Sequence, residues 1–364
     1  MSDPKTLNPE LGTRNRISSG GAISSNQIKR YNAGIQRARG LLELASGLYD
    51  SSLASESWKA AEGVLQTDTP IGNTLKLSLT PKPNDRKGIA LSFTTGGFEA
   101  IRAVAEGKSS LAWVNPSVQL TMAYRGKGPF PKRLPLRTIA VFPSYDVMGF
   151  AVRESTGIAS ISQIKKERFP LKVSIRRMDK AARREDSTMF TVAEVLRAAG
   201  FTLEDIRRWG GAIHSTTRPT DPARRAGIES GAVDAVFDEG IKSWARTAVE
   251  NGFRFLPVEG SILRHMAALG YRATRMTKTQ FPGIPAEVQT LDFSGWPMIV
   301  RADMRDDVAY ALCETIEKRK SMMPTDNYKP LDIAQLCAND EESPYDVPLH
   351  SGAARFYRER GYLK

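Results

Sequence analysis

The stretch from 94 to 117 constrains the fold of this chain more than any other. It opens with Thr-Thr-Gly-Gly, a loop that can approach a ligand closely because glycine has no Cβ. Residues 98–105 then place apolar side chains at helical spacing, and Gly107 ends that helix. The apolar run 111–114 has the length of a strand buried on both faces, and polar residues follow it. The stretch therefore predicts a helix and a buried strand whose carboxyl end carries a polar rim, which is where open α/β sheets bind small ligands.

The same alternation of apolar strands and amphipathic helices runs through most of the chain and predicts an α/β fold. Strands are expected at 41–45, 75–79, 89–93, 136–142, 148–152, 171–175, 233–237, 253–257 and 296–300. Helices are expected at 53–65, 98–105, 189–199, 222–230, 241–250 and 308–317.

A chain of 364 residues has room for two or three domains or lobes. We expect the chain to cross between two lobes near Phe150. Residues 1–40 are interpreted as a flexible basic arm and 41–150 as the first part of lobe I. Residues 151–258 form lobe II in this division, and 259–364 return to lobe I.

The formal net charge of +12 is spread over short basic clusters, without a long basic helix or an aromatic RNA-binding motif. We therefore expect no nucleic-acid partner. His214, His265 and His350 are far apart, and the two cysteines show no metal spacing, so neither a metal nor a cofactor is expected. No stretch resembles an export leader or is long and apolar enough to span a bilayer.

The segment 41–65 is interpreted as a strand, a hydroxyl-rich turn and an amphipathic helix. Ser51 or Ser52 either caps that helix or, with the free backbone N–H groups there, holds a carboxylate. Capping is the favoured interpretation, since every helix needs a start.

In the second lobe, the strand 171–175 leads into an arginine-rich loop and then to a helix start that carries Ser187 and Thr188. An anion at that start gains from the helix dipole and from the arginines nearby. The alternative, that these residues only cap the helix, stays open. Asp238 and Glu239 stand at another strand end, where adjacent side chains point opposite ways and so make no obvious catalytic pair.

Several segments, in this order, resemble the TAXI-type solute-binding proteins of tripartite (TRAP) transporters. They include TTGGFEAIRAVAEGKSSLAWVNPS, LRTIAVFPSYDVMGF, AEVLRAAGF, GIESGAVDAVFDEG and PLHSGAARFYRERG. The resemblance covers about 41–361 and implies a two-lobe type II periplasmic-binding-protein-like fold. In that fold each lobe is a mainly parallel sheet flanked by helices, and a hinge joins the lobes around a ligand cleft.

The resemblance also implies which residues line the cleft. The first lobe would contribute Ser46, Gly47, Tyr49, Ser52, Thr95, Asn115 and Ser117, and the second lobe Ser187, Thr188, Asp238 and Glu239. A ligand carboxylate would be held by hydroxyls, helix starts and the guanidinium fork of Arg176 or Arg177.

The function expected from these residues is non-enzymatic binding of a small organic anion, a carboxylate or an amino acid. The family implies a periplasmic receptor that serves TRAP membrane subunits. The missing leader makes a cytoplasmic relative the alternative.

Two other functions stay open. One is a cytoplasmic decarboxylase or hydrolase of an organic acid with His214 as its base, although a surface histidine is the more common case. The other is a ligand-sensing module that reports to another protein.

Overall fold

The structure is a computed structural model of the whole chain, and it describes residues 15–17, 33–49, 58–69, 72–81, 90–176, 186–326 and 330–364. The described strands form two large mixed sheets and one two-stranded ribbon, and helices flank the sheets. The prediction of an α/β fold built from two helix-flanked sheets is confirmed.

The first sheet has seven strands in the order β1-β2-β3-β4-β5-β14-β6. The strands are β1 (Asn15–Ile17), β2 (Trp58–Thr69), β3 (Gly72–Pro81), β4 (Ala90–Gly96), β5 (Leu111–Val114), β6 (Leu136–Phe142) and β14 (Trp296–Arg301). β4 and β5 run parallel, and the other neighbours are antiparallel. This sheet is therefore mixed and mainly antiparallel, whereas a mainly parallel sheet was expected.

The second sheet has five strands in the order β11-β7-β10-β8-β9. The strands are β7 (Gly149–Arg153), β8 (Lys172–Arg176), β9 (Ala212–Thr216), β10 (Ala235–Asp238) and β11 (Phe253–Phe255). β8, β9 and β10 are parallel, while β7 pairs antiparallel with β10 and β11. The carboxyl ends of the three parallel strands thus meet at one edge. The separate ribbon is β12 (Ala273–Met276) with β13 (Val288–Leu291).

The helices pack on the faces of these sheets. They are α1 (Ala33–Tyr49), α2 (Phe98–Ala105), α3 (Ser117–Arg125), α4 (Ile161–Glu167), α5 (Ser187–Ala198), α6 (Leu203–Arg208), α7 (Pro222–Ser230), α8 (Ala245–Glu250), α9 (Gly260–Leu269), α10 (Asp306–Lys318) and α11 (Ser351–Glu359). Three short 3-10 turns cover Glu154–Thr156, Ile241–Ser243 and Ala334–Cys337.

Two antiparallel segments carry the chain between the sheets, one from β6 to β7 and one from β13 to β14. The Met148 N–H donates to the Leu291 carbonyl at 3.0 Å, and the Gly295 N–H donates to the Ser144 carbonyl at 2.9 Å. We call 143–148 and 291–295 the crossing segments. The lobe boundaries drawn from the sequence at 150 and 258 stay a prediction.

The structure contradicts the strand and turn expected at 41–52, because 33–49 form the helix α1. Leu41, Leu44, Ala45 and Leu48 are all buried, and their spacing of three and four residues follows the helical period. The hydroxyl-rich turn that was to hold a carboxylate is therefore absent from 46–49, and residues 50–52 lie outside the described ranges.

The helix expected at 53–65 is also wrong over its described part, where 58–69 form β2. β2 pairs antiparallel with β3 from Trp58 opposite Pro81 to Thr69 opposite Gly72. This pairing supplies backbone hydrogen-bond partners along one edge of the segment, with irregularities near its two ends. The local apolar spacing fits a helix equally well, so the long-range partner decides the outcome.

One apolar core continues from the first sheet to the second. Phe98 of α2 and Val118 of α3 belong to it together with Met189 of α5 and Met266 of α9. A second core lies between the first sheet and α1, α10 and α11. The two sheets therefore share packing on one side of the crossing segments.

Gly40 tests the helical assignment of α1, because it faces Trp113. A Cβ at position 40 would lie 2.2 Å from Trp113 Cζ3 and 2.9 Å from Pro324 Cδ. We expect Gly40→Ala to destabilise the protein by about 1–3 kcal/mol, although alanine is the better helix former. Gly260→Ala, where only the flexible tip of Arg264 is near, is the control and should be neutral. Urea unfolding measures both, and a neutral Gly40→Ala would contradict the packing of α1.

Candidate functional site

Asp146 lies in the first crossing segment and joins the two sheets. Its carboxylate accepts hydrogen bonds from the Gly240 N–H at 3.0 Å and from the Val147 N–H at 2.8 Å. Its backbone N–H donates to Ser294 Oγ at 3.1 Å, and its carbonyl accepts from the same hydroxyl at 3.0 Å. Ser294 in turn accepts the Ser117 N–H at 3.1 Å. The start of α3 and the end of β10 are thus linked through one aspartate.

The carboxyl edge of the second sheet carries an arginine held by two acids. Arg176, at the end of β8, donates to Asp238 through Nη2 at 3.1 Å and through Nε at 3.4 Å. The same Nη2 contacts Glu239 Oε1. Only 13% of the Arg176 side chain and none of the Asp238 side chain is exposed. The guanidinium expected to bind a ligand is therefore neutralised within the protein.

Arg224 of α7 is a second arginine that contacts Asp238. It is 1% exposed and forms an ion pair with Asp238, with Nη2 2.5 Å from Oδ2. Further donor contacts reach Thr216 Oγ1 at 2.7 Å and Ser174 Oγ at 3.1 Å. Because buried charges need partners, Asp238 is fixed between two arginines and is not free to act on a ligand.

Four acids, Asp146, Asp186, Asp238 and Glu239, form what we call the carboxylate cluster. Burial and then the neighbouring Glu239 carboxylate raise the pKa of Asp146 well above its usual value. Burial raises the pKa of Glu239 and of Asp186, while Arg176 opposes both shifts. Asp146 and Glu239 interact directly, so the pair holds a proton at a pH where isolated carboxyls have lost it.

The first sheet offers a different chemistry, because two of its helices begin without a side-chain cap. Neither Gly97 before α2 nor Pro116 before α3 provides one. The two starts are adjacent, since a Cβ on Gly97 would lie 2.9 Å from Gln119 Oε1. Helix starts carry partial positive charge, so this corner attracts an anion.

Polar side chains at this corner are buried without a protein partner. Ser117 Oγ and Gln119 Oε1 have no hydrogen-bond partner among the described residues, and both side chains are at least nine-tenths buried. Buried polar groups are usually paired, and an unpaired one destabilises the fold by about 1–3 kcal/mol. Unpaired groups beside two uncapped helix starts indicate a binding site.

The predicted residues of the first lobe divide into two groups. Thr95 is the second-last residue of β4 and is buried, and Asn115 accepts a hydrogen bond from Gln119 Nε2 through its carbonyl. Ser46, Gly47 and Tyr49 instead lie in the last turn of α1, where a Cβ on Gly47 would be 2.4 Å from Thr315 Cγ2 of α10. The last turn of α1 therefore packs against α10 and does not lie at the end of a strand, where these residues were expected.

The predicted residues of the second lobe lie at the carboxyl edge. Ser187 and Thr188 begin α5, which Asp186 caps by accepting the Met189 N–H at 3.0 Å. The start of α5 meets the start of α2, because the rings of Phe190 and Phe98 are 5.5 Å apart. Ser52 and Arg177 lie outside the described ranges.

His214 lies on the edge strand β9 with its Cα opposite Ser174. Its Nε2 is buried and has no hydrogen-bond partner among the described residues. A carboxylate that would orient it as a general base is not among the contacts of the described chain. The arrangement therefore gives the enzymatic alternative no specific support.

Sequence reasoning missed Asp146, Gln119, Arg224 and Arg37. Asp146 follows a strand by only four residues, which is a signal that could have been used. Arg224 stands beside Arg225 in the same helix, and sequence spacing does not show which of two neighbours is buried. Arg37 lies in the segment 1–40, which was interpreted as a flexible basic arm.

A surface cavity of about 600 Å³ lies away from these residues, between α4 and α6. Its lining includes Lys165, Lys166, Arg168, Arg208 and Trp209. Arg208 is paired with Asp205. Within the described residues, its lining contains no buried polar atom without a partner, which sets it apart from the corner at Ser117.

Comparison with known proteins gives distant structural matches. Models of known protein families match no part of the chain. The glycine betaine/L-proline-binding protein ProX of Borrelia burgdorferi is 14% identical over 61% of this chain and 79% of its own, with a TM-score of 0.33. XAC2383 of Xanthomonas citri, solved with bound chloride, is 12% identical over 72% and 80%, with a TM-score of 0.34. The desulfurization enzyme DSZB is 12% identical over 70% and 80%, with a TM-score of 0.30.

The chain is thus an α/β protein of two mixed, helix-flanked sheets with distant matches to periplasmic substrate-binding proteins among others. The likeness is too low to decide a function, which depends on the side chains described above. In the described ranges, no helix has both the length and the apolar character needed to cross a bilayer.

Asp146 should make stability depend on pH. An acid whose pKa is raised by folding keeps its proton in the folded chain after the unfolded chain has lost it, so stability falls as pH rises above about 4. Asp146→Asn removes this titration, and its amide oxygen still accepts the Gly240 N–H. We expect the variant to gain stability relative to the wild type as pH rises above about 4. The gain should be about 1.4 kcal/mol for each unit by which folding raises the pKa.

Urea unfolding at several pH values measures this difference. Asp303→Asn is the control, because Asp303 is exposed on the surface and its partner Arg301 lowers its pKa. A stability difference between Asp146→Asn and the wild type that stays constant with pH would contradict the assignment.

Proposed function

We propose that this protein binds a small organic anion at the corner formed by the starts of α2 and α3, opposite the carboxylate cluster. The observation that supports this most is the buried Ser117 hydroxyl, which has no hydrogen-bond partner among the described residues and lies beside two uncapped helix starts. Gln119 Oε1 is an acceptor and would receive a hydrogen bond from a donor group elsewhere on the ligand. A serine hydroxyl and backbone N–H groups are the donors that a carboxylate accepts.

The opposite wall supports binding rather than catalysis. Arg176 and Asp238 satisfy each other, and Arg224 holds Asp238 from the other side. These side chains can orient a ligand. Because their donors and acceptors already bond to each other, they are not available to transfer a proton to or from it. The bound ligand would contact both sheets, which is how a ligand stabilises one arrangement of two connected halves.

The sequence motifs support a finer proposal, that the chain is a TAXI-type solute receptor or a relative of one. Its partner would then be the membrane subunits of a TRAP transporter, and its place the periplasm. A cytoplasmic relative with the same binding site is the alternative. Fractionation of the native organism's cells would distinguish the two.

Ligand binding is testable with a small panel of carboxylates. We expect at least one of succinate, succinamate, L-glutamate, L-glutamine and benzoate to raise the melting temperature. A ligand at 100 times its Kd stabilises the folded state by about 2.7 kcal/mol. Thermal unfolding followed by titration calorimetry measures this. A melting temperature that none of the five compounds changes at millimolar concentration would contradict the proposal.

Ser117→Ala separates a role in binding from a role in folding. Because the buried hydroxyl has no protein partner, we expect the variant to be as stable as the wild type or up to about 1 kcal/mol more stable. Affinity for the carboxylate should fall by about 5- to 10-fold, as a hydrogen bond to a charged group is lost.

Thr315→Val is the matched control for this variant. Thr315 Oγ1 is likewise buried without a described partner, but it lies in α10 next to Gly47 and away from the site. This variant should keep full affinity. If both variants lose affinity equally, or if Ser117→Ala loses none, Ser117 is not part of the binding site.

A further inference from the structure

Arg37 is a buried cation in α1 without an ion-pair partner among the residues that the structure describes. Its side chain is 9% exposed, and its Nε and Nη1 atoms are buried without a hydrogen-bond partner among the described residues. Burial lowers the pKa of Arg37 to about 10, and the nearby Glu239 carboxylate acts against that shift. The group stays charged at neutral pH.

The guanidinium lies over the ring of Trp296, with its Cζ 5.2 Å from the ring centroid. Trp296 is the first residue of β14 and follows Gly295, where a Cβ would be 2.3 Å from Ser117 Oγ. Arg37 therefore packs on Trp296, and the unpaired Ser117 hydroxyl lies against the preceding residue, Gly295. A ring face alone compensates a buried guanidinium only in part, since the N–H donors on Nε and Nη1 have no acceptor among the described residues.

Arg176 and Arg37 differ in what surrounds them. Arg176 contacts both Asp238 and Glu239 directly, whereas Arg37 has no carboxylate within ion-pair distance in the described chain. Buried arginines are normally paired with acids, so an unpaired one beside a candidate anion site calls for an external anion.

We propose that Arg37 binds the ligand's carboxylate, with Ser117 beside it, and that the ligand carries one carboxylate and not two. This rests on the function proposed above and assigns its anchoring residue. The charge limit follows from the opposite wall, where the carboxyl groups of Asp146, Asp238 and Glu239 lie close together. A second carboxylate reaching that wall would meet like charge, while an amide or a hydroxyl there would donate a hydrogen bond.

The experiment compares wild type with Arg37→Met, Arg37→Lys and Arg246→Gln. Methionine keeps a long side chain against Trp296 and removes the unpaired charge. Arg246 is an exposed arginine of α8 paired with Glu250, so its loss controls for net charge. Calorimetry uses succinamate and L-glutamine as ligands with one carboxylate, and succinate and L-glutamate as the matched ligands with two.

We expect Arg37→Met to keep or raise the melting temperature without ligand and to lose affinity for the one-carboxylate ligands by about 10- to 100-fold. Arg37→Lys should fall in between, because lysine keeps the charge without the two-pronged geometry. Arg246→Gln should bind as the wild type does. Within each pair, the ligand with one carboxylate should bind at least several-fold more tightly.

The two proposals fail in different ways. If the wild type binds none of the five carboxylates of the panel, the proposed function is wrong and the assignment of Arg37 falls with it. If the wild type binds and Arg37→Met binds equally well, only the assignment of Arg37 is wrong. A melting temperature several degrees lower in Arg37→Met would show that Arg37 serves the fold, and tighter binding of the dianions would overturn the charge limit.

Discussion

The pairing of the two crossing segments determines where the chemistry of this protein can lie. Residues 143–148 and 291–295 run antiparallel, and Asp146 bonds to Ser294 on one side and to Gly240 on the other. The end of β10 and the start of α3 are thus held within a few hydrogen bonds of each other. Other contacts add to this pairing, since Phe98 packs against Phe190 and Lys242 forms an ion pair with Asp326 at 2.9 Å.

The two sheets differ in how far their charged groups are compensated at this junction. On the second sheet, Arg176 and Arg224 stand against the carboxylate cluster, and Asp186 caps α5. On the first sheet, α2 and α3 begin uncapped. Charge compensation is therefore nearly complete on one wall and incomplete on the other. An anion is stabilised where positive charge remains unused, which places its binding determinants on the first sheet.

Much of the fold from β4 onwards was predictable, because residues that end helices and strands can be recognised in the local sequence. Gly107 ends α2 with φ at +73°, and Gly231 ends α7 at +77°, a conformation that favours glycine. The first third was not predictable from local pattern. Leu41, Leu44 and Leu48 fit a helix only when the segment is read over several turns, and β2 is a strand because β3 pairs with it.

The location of the candidate site was predictable from the sequence, but the interactions among its side chains were not. Strand ends and helix starts can be located by counting residues, and this found Ser117, Asp238 and Glu239. Whether a charged group is free depends on partners far away in sequence. Asp238 meets Arg176 across 62 positions. A loop rich in arginine therefore suggests an anion site at its own position. Arg37, which is buried without an acid at ion-pair distance among the described residues, instead lies in α1. Burial and pairing together, rather than the abundance of one residue type, identify the group that is available to a ligand.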